Sequence, residues 1–510
     1  MKPDRWFLAC AAILAITLLR VGATGHVFSP TFDEGAHIAA GQEYLLQHTY
    51  LVDPQHPPLA RIFFALPFLR TPPPTGDMIE RGKALIETGG HMPSKIAQAR
   101  RGNLLFLLIG CIGVTLWARH LFGKTAALLA LVLFASLPPV LANAGLATTD
   151  MSTAAAMPWA LYALTLFLEQ PTWPRTLALG VAFGFGLLTK FSFLPFFAAA
   201  AIVMFVVKRR LPLARGLVSI AIGFILVWAM YGFTFSTMAK ANPRTVDFAE
   251  EMFHSPRIAN IPIPAPLYFA GIFEVKLHDR HGHDSYLFGR LTSHGWWYYF
   301  PAAFLFKTPI PFLILAAIGI WLLARRRAAP ELALAAAAIM AVAMTTGINI
   351  GVRHILPIYA PLAIVAAFAA VTLRARIAVA LLAAWLVAGS LLATPDYLPW
   401  MNALALGHPE RVLVDSNFDW GQDLFRLAHE CRKRNVQNLG TAIFTTTSYS
   451  ALGIPSVAEV PWYGMRRGWN AVSETLLQEA RAKEPLAYQW LIFGRDFVRV
   501  GKTIRLYYVP

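Results

Sequence analysis

The stretch WFLACAAILAITLLRVGATGHVFSPTFDEGAH, residues 6–37, begins with about twenty almost uncharged positions and then delivers two adjacent carboxylates and a histidine. Twenty residues of helix rise about 30 Å, the depth of a bilayer's hydrocarbon. Asp33 and Glu34 are therefore expected just beyond the first span. Working outward, further apolar runs of spanning length read at 102–119, 125–147, 151–169, 175–189, 190–207, 213–233, 297–323, 331–350, 354–373 and 377–394, about eleven with 6–25. The polar break at Thr189-Lys190 is short, so 175–207 is the pair least clearly divided. The chain reads as a polytopic α-helical membrane protein.

Composition agrees. Of 510 residues, 56% are hydrophobic and only 14% charged, with a mean hydropathy of +0.51, which excludes a soluble globule. Lys and Arg number 44 against 28 acids, but they fall in short clusters between apolar runs, the pattern of membrane orientation, and no nucleic-acid partner is expected. The clusters are Lys2/Arg5, Arg119/Lys124, Arg175, Lys208 to Arg210 with Arg215, Arg325 to Arg327, and Arg374/Arg376. With eleven spans and the N-terminus inside, all six lie on the cytoplasmic face. The other face receives 26–100, the turns at Thr148–Asp150 and Lys190, the loop 234–296, the turn Gly351–His354 and the tail 395–510. A cleavable signal peptide is the competing reading of 6–25, yet its removal would leave an even number of spans and spoil this parity. Cys10, Cys111 and Cys431 are too scattered for a disulfide framework or a zinc motif.

The outer segments have their own pattern. Residues 33–48 read as a helix lying in the interface, and a second begins after His56-Pro-Pro58. Residues 1–394 form the transmembrane part. The tail 395–510 reads as a small extracytoplasmic α/β domain, with helices near 421–434 and 471–483 and strand-like runs at 438–444, 487–493 and 503–509. No strong internal repeat is visible, against a transporter built from inverted halves.

Several side chains could carry chemistry. Thr31 and Glu34 fit a capping box, which competes with a catalytic role for Glu34. Asp33, in the first turn with His37 on the same face, suits accepting a hydroxyl proton late as a sugar's anomeric carbon is attacked. Asp150, at a span end, is either functional or an ordinary N-cap. Lys190, Arg353 and Lys307 could bind phosphate or snorkel to lipid headgroups. His278, His281, His283 and the aspartates among them could hold a divalent cation, although no partner set is visible elsewhere. Trp296 and Trp297 read as an interfacial belt or as substrate contacts. A transporter or flippase for a polar or phosphorylated lipid is the rival class.

Taken in order, FDEGAHIAAGQEYL (32–45), HPPLAR (56–61), TTD (148–150), GLLTK (186–190), GRLTSHGWWYYFPAAFLFKTPIP (289–311), GVRHILPIYAPL (351–362) and DSNFDWGQDL (415–424) resemble the protein O-mannosyltransferase family, glycosyltransferase family 39, with its bacterial lipid A aminoarabinose transferase relatives. The resemblance implies a C-type glycosyltransferase fold of many transmembrane helices, interfacial helices in the first outer loop and a soluble outer domain. It implies a polyprenyl-phosphate-linked sugar donor, inverting transfer in one displacement to a lipid, glycan or protein acceptor, and a place in the bacterial cytoplasmic membrane. Carried onto this chain, it makes Asp33 the base with Glu34 beside it and Asp150 the second acid. Lys190 and Arg353, with His354 and His56, would handle the donor phosphate, and His37, Trp296, Trp297 and Lys307 would contact substrate. His56 stands where the aminoarabinose transferases have lysine. The large lumenal domain of the eukaryotic mannosyltransferases has no counterpart in the loop 234–296.

Overall fold

The computed structural model describes residues 4–494 and 497–510; Lys2 of the first basic cluster lies outside them. Every apolar run is helical, and several of the helices are shorter than a full spanning length. Among the described residues five are long and apolar enough to cross a membrane: Arg5–Thr24, Met92–Phe134, Asp150–Glu169, Leu213–Met230 and Val352–Thr372. Tyr299–Lys307 and Ile310–Arg326 make a sixth if counted together, bent by 116°. Phe193–Lys208, Glu331–Ala343 and Arg376–Leu392 are apolar but shorter, and Trp173–Leu187 has 15 residues.

The breaks have local causes. Pro138 and Pro139 start a separate short helix, Pro138–Ala144, inside the run expected at 125–147. Thr308-Pro309 bends the run expected at 297–323, and the carbonyls this frees are taken by Asn402, whose amide donates to Leu305 O and Thr308 O at 2.6 and 2.7 Å. Irregular backbone is tolerated at membrane depth where protein satisfies it in this way. The run Met92–Phe134 is two helices that break at Gly123, φ 82°, within the turn expected between 119 and 125.

Asp150–Glu169 and Val352–Thr372 are buried along most of their length, while Leu217, Ile220, Ile377, Leu381 and Trp385 on the outer helices are exposed, as a lipid-facing surface requires. The basic loops gather at one end. Lys124 pairs with Asp4, His120 with Glu169 at 2.7 Å, Arg175 with Glu169 at 3.6 Å and Lys208 with Glu331 at 2.6 Å. Asp150 is at the other end of the twenty-residue helix that finishes at Glu169, about 30 Å away.

The segment between the first two long helices holds three helices, Glu34–Gln47, Leu59–Ala65 and Met78–Glu87. The first packs against the rest of the protein. Most of it is buried, and at Gly41 a Cβ would fall 2.1 Å from the Arg61 carbonyl, so the first two helices meet in a backbone contact only glycine permits.

The tail forms a mixed five-stranded sheet in the order 456–459, 439–442, 468–473, 504–509, 497–500. Strand 439–442 is parallel to both neighbours; 504–509 is antiparallel to both of its own. Ala471 and Leu506 pack with helix Leu424–Lys433, while Val472 and Tyr507 join the cluster of helix Glu474–Lys483, so alternate residues send one helix to each face. The strand expected at 487–493 is instead a short 3-10 turn, Gln489–Phe493, entered through Tyr488 at φ 57°, a conformation no strand adopts. Strands 456–459, 468–473 and 497–500 were not legible.

Asp419, in the loop that joins this sheet to the helices, is buried. Burial pushes its carboxyl up to about 7, although Thr475 N and Gly421 N donate to it. Between the ordinary carboxyl pKa of about 4 and 7 the folded state keeps a proton that the unfolded state has released, so this group's contribution to stability falls as pH rises through that window. Thermal unfolding in detergent between pH 5 and 8 is expected to show a smaller loss of melting temperature with rising pH in Asp419→Asn than in the unmodified protein.

Candidate functional site

The loop that carries the acids is held from below by one arginine. Arg100, on helix Met92–Phe134, donates from Nε and one terminal nitrogen to Glu34 at 2.8 and 2.7 Å, and from its remaining N–H groups to the carbonyls of Gly25, Phe28 and Ser29 at 2.9, 2.8 and 2.8 Å. All five donors are used. Glu34 also accepts from Thr31 N at 2.8 Å and from Ala147 N at 2.7 Å. One turn along the same helix, the Asn103 amide donates to Asn143 O and Thr148 O, each at 3.0 Å. Arg100 and Asn103 together fix the Asp33 loop against the Asp150 turn.

This corrects the reading of Glu34. Its carboxylate is fully buried with four acceptor positions filled, so it has no capacity to react. The capping box is also only half formed: Glu34 reaches back to Thr31 N, but the Thr31 hydroxyl is buried without a partner, and Asp33 is the N-cap residue.

Asp33 makes no capping bond and its side chain is 32% exposed. Its Oδ2 accepts from Arg353 at 3.0 Å, and the same arginine nitrogen is 3.7 Å from Asp150. Asp150 in turn accepts from Lys190 at 2.6 Å. The structure thus joins Asp33, Arg353, Asp150 and Lys190, which are 320 residues apart at the extremes, into one chain of two acids and two cations. Asp33 is its exposed member; the other three side chains are at most 10% exposed. Trp420 covers one face of Arg353, with the guanidinium carbon 4.2 Å from the ring centroid. A stacked guanidinium keeps its N–H edges for oxygen ligands.

His37 and His56 stand beside this chain, their rings 5.2 Å apart. His56 Nδ1 is 3.4 Å from the Thr149 hydroxyl. Burial, reinforced by Arg61, pushes both imidazoles well below their ordinary pKa. His354, next to Arg353, has a buried and unpartnered Nε2.

Other expected residues are placed elsewhere. Lys307 donates to Leu398 O, Trp400 O and Asn417 O at 2.6, 2.7 and 2.7 Å; all three ammonium donors tie the tail to the helices and none is left for substrate. Trp297 is 66% exposed, and Trp296 is anchored through its backbone N to Asn349 Oδ1 at 2.6 Å. His281 pairs with Glu251 and His278 with Gln55, and among the described residues no three His, Cys, Asp or Glu side chains converge to hold a metal ion.

Sequence reading missed Arg100, Arg61 and Trp420. Arg100 left a signal: with Arg101 it is a basic pair on the side expected to lie outside, against the orientation rule, and such a pair needs a partner. The loop 415–424, none of whose residues was singled out from the sequence, is integral to the site. Phe32 N donates to Trp420 O at 3.1 Å, Ser29 N to Gln422 O at 3.0 Å and Val352 N to Asn417 Oδ1 at 2.9 Å.

Residues 92–235 match the family described as dolichyl-phosphate-mannose-protein mannosyltransferase. This segment contains Asp150 and Lys190 and excludes Asp33 and Arg353. The whole fold is similar to the crystal structure of ArnT from Cupriavidus metallidurans bound to undecaprenyl phosphate, with 16% identity, a TM-score of 0.51 and 97% of each chain covered. The apo state of the same protein gives a TM-score of 0.52 at the same identity and coverage. The resemblance to membrane glycosyltransferases of the C type therefore holds for the fold along nearly the whole chain. No curated protein matches the sequence.

Removing one partner of a buried, hydrogen-bonded ion pair costs about 3–5 kcal/mol. Glu34→Ala, which strands Arg100, is expected to lower the unfolding temperature sharply in detergent, whereas Asp33→Asn leaves it within a few degrees. Equal melting of the two variants would show that Glu34 is not a structural residue.

Proposed function

We propose that this integral membrane protein is a glycosyltransferase that moves a sugar from a polyprenyl-phosphate donor to a hydroxyl-bearing lipid, glycan or protein acceptor at the outer face, with inversion and with Asp33 as base. The observation that carries the reading is the linkage of exposed Asp33, through Arg353, to buried Asp150 and Lys190. The similar ArnT structure, which holds undecaprenyl phosphate, supports the donor class. The basic loops gathered at the opposite end support a cytoplasmic N-terminus and an extracytoplasmic tail, in a bacterial cytoplasmic membrane.

In this reading Arg353 exchanges partners. A donor phosphate that takes its N–H edge, with Lys190 alongside, releases Asp33 from the ion pair. The acceptor oxygen then attacks the anomeric carbon as its proton passes to Asp33 and the bond from that carbon to the phosphate oxygen breaks. The departing polyprenyl phosphate gains negative charge beside two fixed cations, so no acid is needed to protonate it. Asp150 is their counter-ion. Its side chain is 1% exposed and engaged by both cations, which is unlike the free nucleophile of a retaining mechanism. A flippase would need these charges near midplane with access from both sides, and Asp150 instead stands at a helix end.

The test is transfer of label from a panel of radiolabelled polyprenyl-phosphate sugars by the purified protein in lipid, with membrane extract as acceptor. Positioned bases contribute about 10²- to 10⁴-fold, so Asp33→Asn is expected to lose that much turnover while still binding the donor. Normal turnover in the variant would remove Asp33 as the base. Lipid scrambling without transfer from any donor would favour the flippase.

A further inference from the structure

We propose that Arg61 is a positioning residue that fixes His37 as a neutral imidazole protonated only at Nε2, and that this N–H donates to a hydroxyl of the donor sugar. The inference rests on the transferase reading above for its substrate, but its geometry stands independently. Arg61 Nε lies 3.1 Å from His37 Nδ1. A guanidinium can only donate, so Nδ1 must be the bare, accepting nitrogen and the ring proton must be on Nε2. Protonating Nδ1 would set two N–H groups and two positive charges against each other.

Arg61 cannot easily turn away. It is fully buried, donates to Tyr50 OH at 2.9 Å, and is held by the Asp53 carboxylate and carbonyl. Its helix is pressed against that of His37 at Gly41. The charged and titratable groups acting on His37 are Arg61, Asp150, Arg353 and Lys190, with the His56 ring edge-on. Three of these are cations, and burial acts in the same direction, against a charged ring.

His37 Nε2 meets no protein acceptor among the described residues and, unlike His354 Nε2, is not sealed from solvent. Its ring lies beside the Asp33, Arg353, Asp150 and Lys190 chain, where two cations already serve the phosphate. An uncharged donor adds direction there without adding charge, which suits a neutral sugar oxygen better than an anionic one.

Two measurements test this. In lipid nanodiscs with ring-¹⁵N histidine, the His37 signal, assigned by its disappearance in His37→Gln, is expected to keep the Nε2–H signature from about pH 5.5 to 8. In Arg61→Lys it is expected to become a tautomer mixture. A His37 that titrates normally in the unmodified protein overturns the proposal whether or not the lysine variant folds. Separately, glutamine can place an amide N–H near the Nε2 position and asparagine cannot. His37→Gln should bind polyprenyl-phosphate sugar within a few-fold of the unmodified protein, and His37→Asn about ten- to a hundredfold more weakly. Neither variant should weaken binding of polyprenyl phosphate without sugar. Equal loss in both variants, or equal loss for the sugar-free lipid, rejects the sugar contact. Because these arms read binding and tautomer, a protein that transfers no sugar would defeat the transferase reading without deciding this one.

Discussion

The site depends on the pairing of Glu34 with Arg100. An arginine and a carboxylate taken out of water are costly unless every polar atom finds a partner. Here each atom does, and the partners are three carbonyls of the 25–29 loop and two backbone amides, Thr31 N and Ala147 N. The desolvation cost is thereby turned into geometry. An irregular loop that would otherwise present unsatisfied backbone near the membrane is pinned at four points, with Ala147 N tying it to the Asp150 turn, and the pinned loop ends on Asp33. The neighbouring acid can then remain partly exposed because the one beside it is fully engaged.

A second constraint is the balance of charge further in. Two acids and two cations neutralise one another, so the cluster can form without a ligand, yet Arg353 is shared between Asp33 and Asp150 rather than committed to either. Sharing is what allows exchange. A shared guanidinium gives up one carboxylate at lower cost than a bidentate pair such as Arg100 with Glu34. The two arginines thus differ in kind: one is locked by five bonds, and the other is covered on a face by Trp420 and left able to change partners.

Much of this was legible. Asp33, Asp150, Lys190 and Arg353 stood out because charges next to long apolar runs are expensive and need a reason. What the sequence could not supply was the division of labour between adjacent residues. Glu34 and Asp33 are chemically alike one position apart; only the position of Arg100, 66 residues on, separates the buried, fully bonded acid from the partly exposed one. Lys307 misled for a related reason, since a lysine near the outer face looks free until the carbonyls around it are known. Span ends were less legible where Pro interrupts a helix, as at Pro138 and Pro309, because hydropathy continues through a break that hydrogen bonding does not. Strands of four residues, such as 456–459 and 497–500, are too short for their alternation to rise above chance.

The tail belongs to the same physical unit as the site. The loop 415–424 passes between the Asp33 loop and the turn at 350–353: Trp420 and Gln422 accept from Phe32 and Ser29 on one side, Asn417 and Ser416 bind Val352 N and Ile350 O on the other, and Trp420 closes over Arg353. Lys307 adds three further ties, so the tail cannot move away without exposing a buried ammonium and several unpaired carbonyls. The contacts that join Asp33 to Arg353 and Ser29 to Gln422 span more than 300 residues each, so their loop-closure cost falls late in assembly. The shared arginine is covered by Trp420 only when the last part of the chain has docked, which couples docking of the tail to formation of the charged site.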